Sequence, residues 1–172
     1  MVAGHPLLRA FRDYRVLNAL VAEWEVTIDR YGPRWSTFFH DLKRDYPELL
    51  RARQTSNDPY GHAIDDLDLI WLSDYPMPRH EFADTVVHEF LHAYEFDAID
   101  YQNVGPHADH ARAWRGAQRQ HGPLPRRHLS EQSIEREAAL IIQSEPHIVE
   151  FFYDAYPELR RHAREVPGPG KI

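Results

Sequence analysis

The residues best suited to chemistry are His88-Glu89-Phe90-Leu91-His92, an H-E-x-x-H motif. Histidines at i and i+4 of a helix project from one face, and both imidazoles can bind one metal ion. Glu89 stands at the edge of that face, where a carboxylate can take a proton from a water activated by the metal. A catalytic zinc usually takes three protein ligands and keeps a fourth position open. The third is therefore sought elsewhere in the chain, among three contenders. His110 opens a helix, with Trp114 four residues on to pack its ring. His107 lies in the same loop-to-helix junction. Glu135 and Glu137 offer a carboxylate on a later helix, against the plainer reading of solvated charges near a helix start.

The elements that must position these residues begin with a strand over Leu67-Asp68-Leu69-Ile70-Trp71-Leu72, broken by Pro76 and Pro78. From Arg79 to about Asp97, Phe82, Val86, Val87, Phe90, Leu91 and Tyr94 recur at helical spacing, while Thr85, His88 and His92 share a different stripe. Upstream, Pro6 to about Arg30 reads as one long helix ended by Gly32-Pro33, followed by a helix over Trp35 to about Asp45. Gln54 to Gly61 reads as loop, and Gly61 to Ile64 as a short strand. Asp97 to Asp109 reads as a linker, and a helix follows from about Asp109 to Gly122. Ser130 caps a helix that Pro146 closes, and Ile148, Phe151, Phe152 and Ala155 mark another. Tyr46-Pro47-Glu48-Leu49 recurs at Tyr156-Pro157-Glu158-Leu159 as a reused helix start. The whole reads as α+β, mostly helical with a small β-sheet before the motif helix. One domain covers residues 1–165: N-terminal helices over 6–50, a catalytic core over 61–122 and C-terminal helices over 130–165. The tail 166–172 is expected to be disordered.

The run His88-Glu89-Phe90-Leu91-His92-Ala93, then His110-x-x-x-Trp114 and Gly122, resembles the SprT-like metallopeptidases. These are zincins whose H-E-x-x-H is followed by a histidine with Phe or Trp four positions on. The resemblance covers about Gly61 to Gly122. It implies a minimal zincin-like fold, Zn²⁺ held by His88, His92 and His110, Glu89 as general base, and hydrolysis of a protein or peptide substrate. Ala111 replaces the family's usual glycine, the linker before His110 is longer, and the family's cysteine ribbon is absent. A second resemblance is to the ImmA/IrrE-like peptidases, through Glu135-Arg136-Glu137-Ala138 and Pro146. It implies a carboxylate third ligand and action on a regulator. A non-catalytic binding module on a zincin scaffold is the alternative outside enzymes, and the intact Glu89 speaks against it, because a structural site has no use for that base.

Composition bounds these readings. At 172 residues with a 42% hydrophobic share, the chain can bury a core and is not a disordered segment. It has no cysteine, so neither disulfides nor a Cys-ligated zinc is open to it. The formal charge of −7 argues against a broadly basic nucleic-acid surface. Arg112, Arg115 and Arg119 nevertheless form one helical stripe, and the SprT-like resemblance implies a DNA association they could serve; a solvated helix face is the plainer reading. No run reaches transmembrane length and no signal-like apolar region opens the chain, so a cytoplasmic protein without membrane contact is expected. Tyr94, Tyr101 and His128 are candidates to stabilise an oxyanion.

Overall fold

The computed structural model describes residues 4–29, 60–73 and 77–165. The helices expected over Trp35–Asp45 and Tyr46–Leu49, the loop from Gln54 and the tail 166–172 lie outside the described residues.

The N-terminal segment does not form one helix to Arg30. A 3-10 helix covers Pro6–Arg12, and α1 then restarts at Tyr14–Glu23. The interruption is Asp13, extended at ψ 125°, whose side chain accepts from the Arg15 backbone N–H and caps α1. Its Oδ2 also lies 2.9 Å from His121 Nε2. The hydrogen bond from the Arg15 side chain leads the effects that lower the Asp13 pKa to about 2. Trp24 then extends the chain, and strand β1 (Glu25–Asp29) replaces the expected last helical turns. Val26, Thr27 and Ile28 are β-branched and favour a pleated surface over a helix.

Strand β2 (Gly61–Ile64) falls where expected. A 3-10 turn, Asp65–Leu67, and a left-handed Asp68 (φ 47°) delay β3 to Leu69–Ser73. The sheet order is β1-β3-β2, with β1 parallel to β3 (Val26 opposite Ile70) and β2 antiparallel to it (His62 opposite Trp71).

Helix α2 (Arg79–Val104) is the spine of the molecule, 26 residues and therefore about 39 Å long. It absorbs most of the expected Asp97–Asp109 linker before Gly105 turns the chain at φ 67°. Around it lie α3 (Ala111–His121), α4 (Glu131–Ser144), α5 (Pro146–Ala155) and α6 (Pro157–Glu165). The anticipated apolar stripe is buried: Phe90 stacks on Phe152 at 4.1 Å, Phe82 packs on Tyr153, and Tyr94 sits between Phe11 and Trp114. Polar groups of the same helix are buried too, and His88, Glu89, Glu95 and Asp97 are out of solvent. Burying charge on that scale is costly unless each group is matched with a partner. Among the described residues, no helix is long and apolar enough to cross a membrane.

Candidate metal centre

Helix α2 fixes two corners of the site. One turn apart, His88 and His92 bring their Nε2 atoms to 3.2 Å, with the rings inclined at 70°. The third corner comes from α4. Glu131, the first residue of that helix, places Oε2 3.1 Å from His88 Nε2 and Oε1 2.9 Å from His92 Nε2. Ser130 makes this position by capping α4, its hydroxyl accepting from the Ser133 N–H at 3.1 Å. Ligands about 2.0–2.2 Å from a tetrahedral zinc lie roughly 3.3 Å from one another. The three donors, 2.9–3.2 Å apart, are thus at ligand spacing and need only slight expansion. Among the described residues, two groups able to hold a metal ion are present, His88 with Glu89 and His92, and His92 with Glu95 and His128. Glu131 joins the first through its contacts with both imidazoles, and two imidazoles with a carboxylate suit zinc.

Glu89 belongs to the same cluster but stands outside this triangle. Its Oε1 lies 3.8 Å from His88 Nε2, against about 3 Å for Glu131. It is 2% exposed and held close to β2. A Cβ at Gly61 would come within 3.0 Å of Glu89 Cγ and 3.1 Å of Thr85 Cγ2, so glycine there lets the strand approach the site stripe.

Behind the histidines lies Glu95, a carboxylate with 0% exposure one turn beyond His92. Its Oε1 is 3.0 Å from His92 Nδ1 and 3.4 Å from His128 Nδ1. Its Oε2 accepts from the Leu129 backbone N–H at 2.6 Å.

These acids decide the proton affinities around them. Burial disfavours charge on His92, but the hydrogen bonds to Glu131 and Glu95 outweigh it and raise the pKa to about 10. Burial acts the same way on His88, where the hydrogen bond to Glu131 and the charge of Glu89 turn the net shift upward. Hydrogen bonds to His88 and then His92 hold Glu131 well below the usual carboxylate range. The arrangement therefore attracts positive charge at the Nε2 edge, as a proton or as a cation.

Among the described residues, the contact at the third corner comes from Glu131, where the expectation was His110. His110 is the exposed N-cap of α3, left-handed at φ 57°, and joins no metal-capable group among the described residues. The reason is the length of α2, which carries the chain about 18 Å past His92 before it turns. His107 is exposed in the 3-10 turn that follows, Gly105–His107. Trp114 is 1% exposed and packs on Tyr94, so its spacing from His110 reflects the core and not a ligand clamp. Glu135 is exposed, and Glu137 is buried on Arg12 (2.6 Å) and the His5 N–H (2.8 Å). Tyr94 donates its hydroxyl to the Leu7 carbonyl at 2.8 Å and is shut in the core, which removes it as an oxyanion donor. Sequence reasoning missed Glu131 and Glu95. For Glu131 a signal existed: it is the acid directly after the Ser130 cap, one turn before the pair that was weighed.

Comparison with family models, with curated proteins and with solved structures finds no match to this chain.

Proposed function

We propose that this chain is a zinc-dependent peptidase, with the metal held by His88, His92 and Glu131 and with Glu89 as the general base. The observation that carries the reading is the division of labour between two carboxylates. Glu131 contacts both Nε2 atoms at about ligand spacing, while Glu89 stays beside the triangle, buried and within reach of a reacting water. Zinc bound there supplies Lewis acidity, acidifying water and polarising a carbonyl. Glu89 accepts the proton released when water attacks the scissile carbonyl and hands it to the departing amine. His88 and His92 keep their lone pairs on the metal edge, and Glu95 holds the His92 Nδ1 proton on the far side. Glu131 is 66% exposed on its side chain, so the site is open to substrate on the α4 side.

A carboxylate at the third corner favours the ImmA/IrrE-like alternative over the three-histidine SprT-like one, although the residue is Glu131 and not Glu135 or Glu137. Action on a protein regulator follows from that resemblance as part of the proposal. A non-catalytic binding module is the weaker reading, because it gives no role to Glu89.

The test is zinc content and peptidase activity of wild type beside Glu131→Ala and His110→Ala, with folding verified by circular dichroism. Stoichiometric zinc in wild type and in His110→Ala is expected, with affinity at least about 100-fold weaker in Glu131→Ala, more than loss of an outer-shell partner costs. Zinc lost in His110→Ala and kept in Glu131→Ala would overturn the ligand set. Absence of zinc binding by the wild type after reconstitution would overturn the reading as a whole.

A further inference from the structure

We infer that Glu95 is a positioning residue that assembles the metal centre from both of its walls; this rests on the proposed zinc site. Two of the three corners belong to α2 and the third to α4, and Glu95 touches both a histidine ligand and the chain that leads into α4. One oxygen faces His92 Nδ1 at 3.0 Å, and the other takes the Leu129 N–H at 2.6 Å. Leu129 lies two residues before Glu131 and directly before the Ser130 cap, so the bond fixes where α4 begins. A wholly buried carboxylate is costly unless donors face it, and the His92 ring, the His128 ring and the Leu129 N–H do so. Burial pushes its pKa up, and the hydrogen bonds from His128, His92 and the Leu129 N–H together bring it below the ordinary value.

The arrangement has two consequences. With its Nδ1 proton given to Glu95, the His92 ring is locked in the tautomer and orientation that offer Nε2 to the metal. With its backbone anchored through Leu129, Glu131 meets the histidines despite an otherwise exposed side chain. Glu95 therefore supports one ligand directly and another through the main chain.

His92, Glu95 and His128 also form a second group with ligand atoms close enough to hold a cation. Geometry argues against that use. Glu95 Oε2 is already engaged with the Leu129 N–H, and His92 Nδ1 cannot carry a proton for Glu95 and also bind a second ion. The first-site reading needs that proton.

The experiment is a zinc titration, against a competing chelator, of full-length wild type, Glu95→Gln, Glu131→Ala, the double variant and His128→Ala. Melting of each metal-free protein is recorded alongside. Glu95→Gln is expected to weaken zinc about 10–100-fold, the usual loss for an outer-shell partner. The double variant should lose less than the product of the single effects, because part of the Glu95 effect passes through Glu131. His128→Ala should weaken zinc less than Glu95→Gln does, because it leaves both the His92 and the Leu129 contacts of Glu95 in place. A merely structural role would lower the metal-free melting temperature while leaving single effects that multiply. Should Glu95→Gln fail to fold, Glu95→Asp keeps the charge but cannot span both partners, and the same 10–100-fold loss is expected of it. Unchanged zinc affinity in these variants, or effects that multiply, overturns the inference while the peptidase reading stands. Zinc lost in His128→Ala overturns it in favour of the second group. No zinc binding by wild type overturns the peptidase reading, and the positioning role falls with it.

Discussion

Helix α2 buries charge at two places, and they are handled in opposite ways. Around His88 and His92, the acids Glu131 and Glu95 face imidazoles that can carry positive charge. One turn and a half further on, Asp97 is also buried, but its neighbours are the Trp24 indole N–H at 2.9 Å and another acid, Glu23. Burial first, and then the hydrogen bond and charge of Glu23, push the Asp97 pKa up to about 9. Acids matched with bases make a place for a cation; acids matched with an acid are relieved by a proton. The comparison shows why only the first cluster is read as a metal centre, although both are buried and acidic.

The strongest way to break the comparison is at Glu89. Glu89→Gln keeps the shape of the site and is expected to keep zinc while losing at least about 10²-fold in turnover. Steady-state kinetics with metal analysis of the same sample check this, and near-full activity would sink Glu89 as base. Next is Gly61→Ala, where the new methyl meets Glu89 Cγ and Thr85 Cγ2. Turnover should fall about tenfold through misplacement of the base, with zinc affinity unchanged. A loss of zinc instead would mean that β2 supports the ligands and not the base.

The second cluster makes a pH prediction of opposite sign to that of an ordinary salt-bridged acid. Asp97 has an unfolded pKa of about 3.9 and a folded pKa of about 9. The folded state therefore holds the proton more tightly. The contribution of this group to stability is complete below pH 4 and is lost as pH rises toward 9. Asp97→Asn retains an acceptor for Trp24 and removes the titration. Thermal melts should show the variant gaining on wild type from pH 5 to pH 8.5. A pH-independent difference would remove the proton-sharing account. The smallest effect is expected of His110→Ala, exposed and outside the site, with zinc affinity and activity close to wild type.

How much of this was legible in the sequence depends on how local the cause was. The 3.6-residue repeat alone sets the His88–His92 pair, and Ser130 and Pro146 bound α4 as their local chemistry requires. The α+β class with a small sheet was legible for the same reason. Reading Pro6–Arg30 as one helix failed because an apolar pattern continues across Asp13 and Trp24, where capping and β-branching decide the backbone. The third corner was not legible in detail. His110-x-x-x-Trp114 has a plausible spacing, but Trp114 answers to the core, and which acid of α4 meets α2 depends on how the two helices dock. Glu95 was not singled out, since its partner Leu129 is a backbone group that no side-chain pattern announces.

The unequal support of the three corners has a consequence for the size of the ion. The helical ladder of α2 fixes the separation of the two imidazoles, whereas Glu131 sits at a helix start with its side chain largely in solvent. An ion larger than zinc would be accommodated by a shift of the Glu131 side chain, with the histidine pair and the anchored start of α4 unmoved. In the proposed site, tolerance for ionic radius would thus reside in one side chain, with the histidine pair as its fixed jaw.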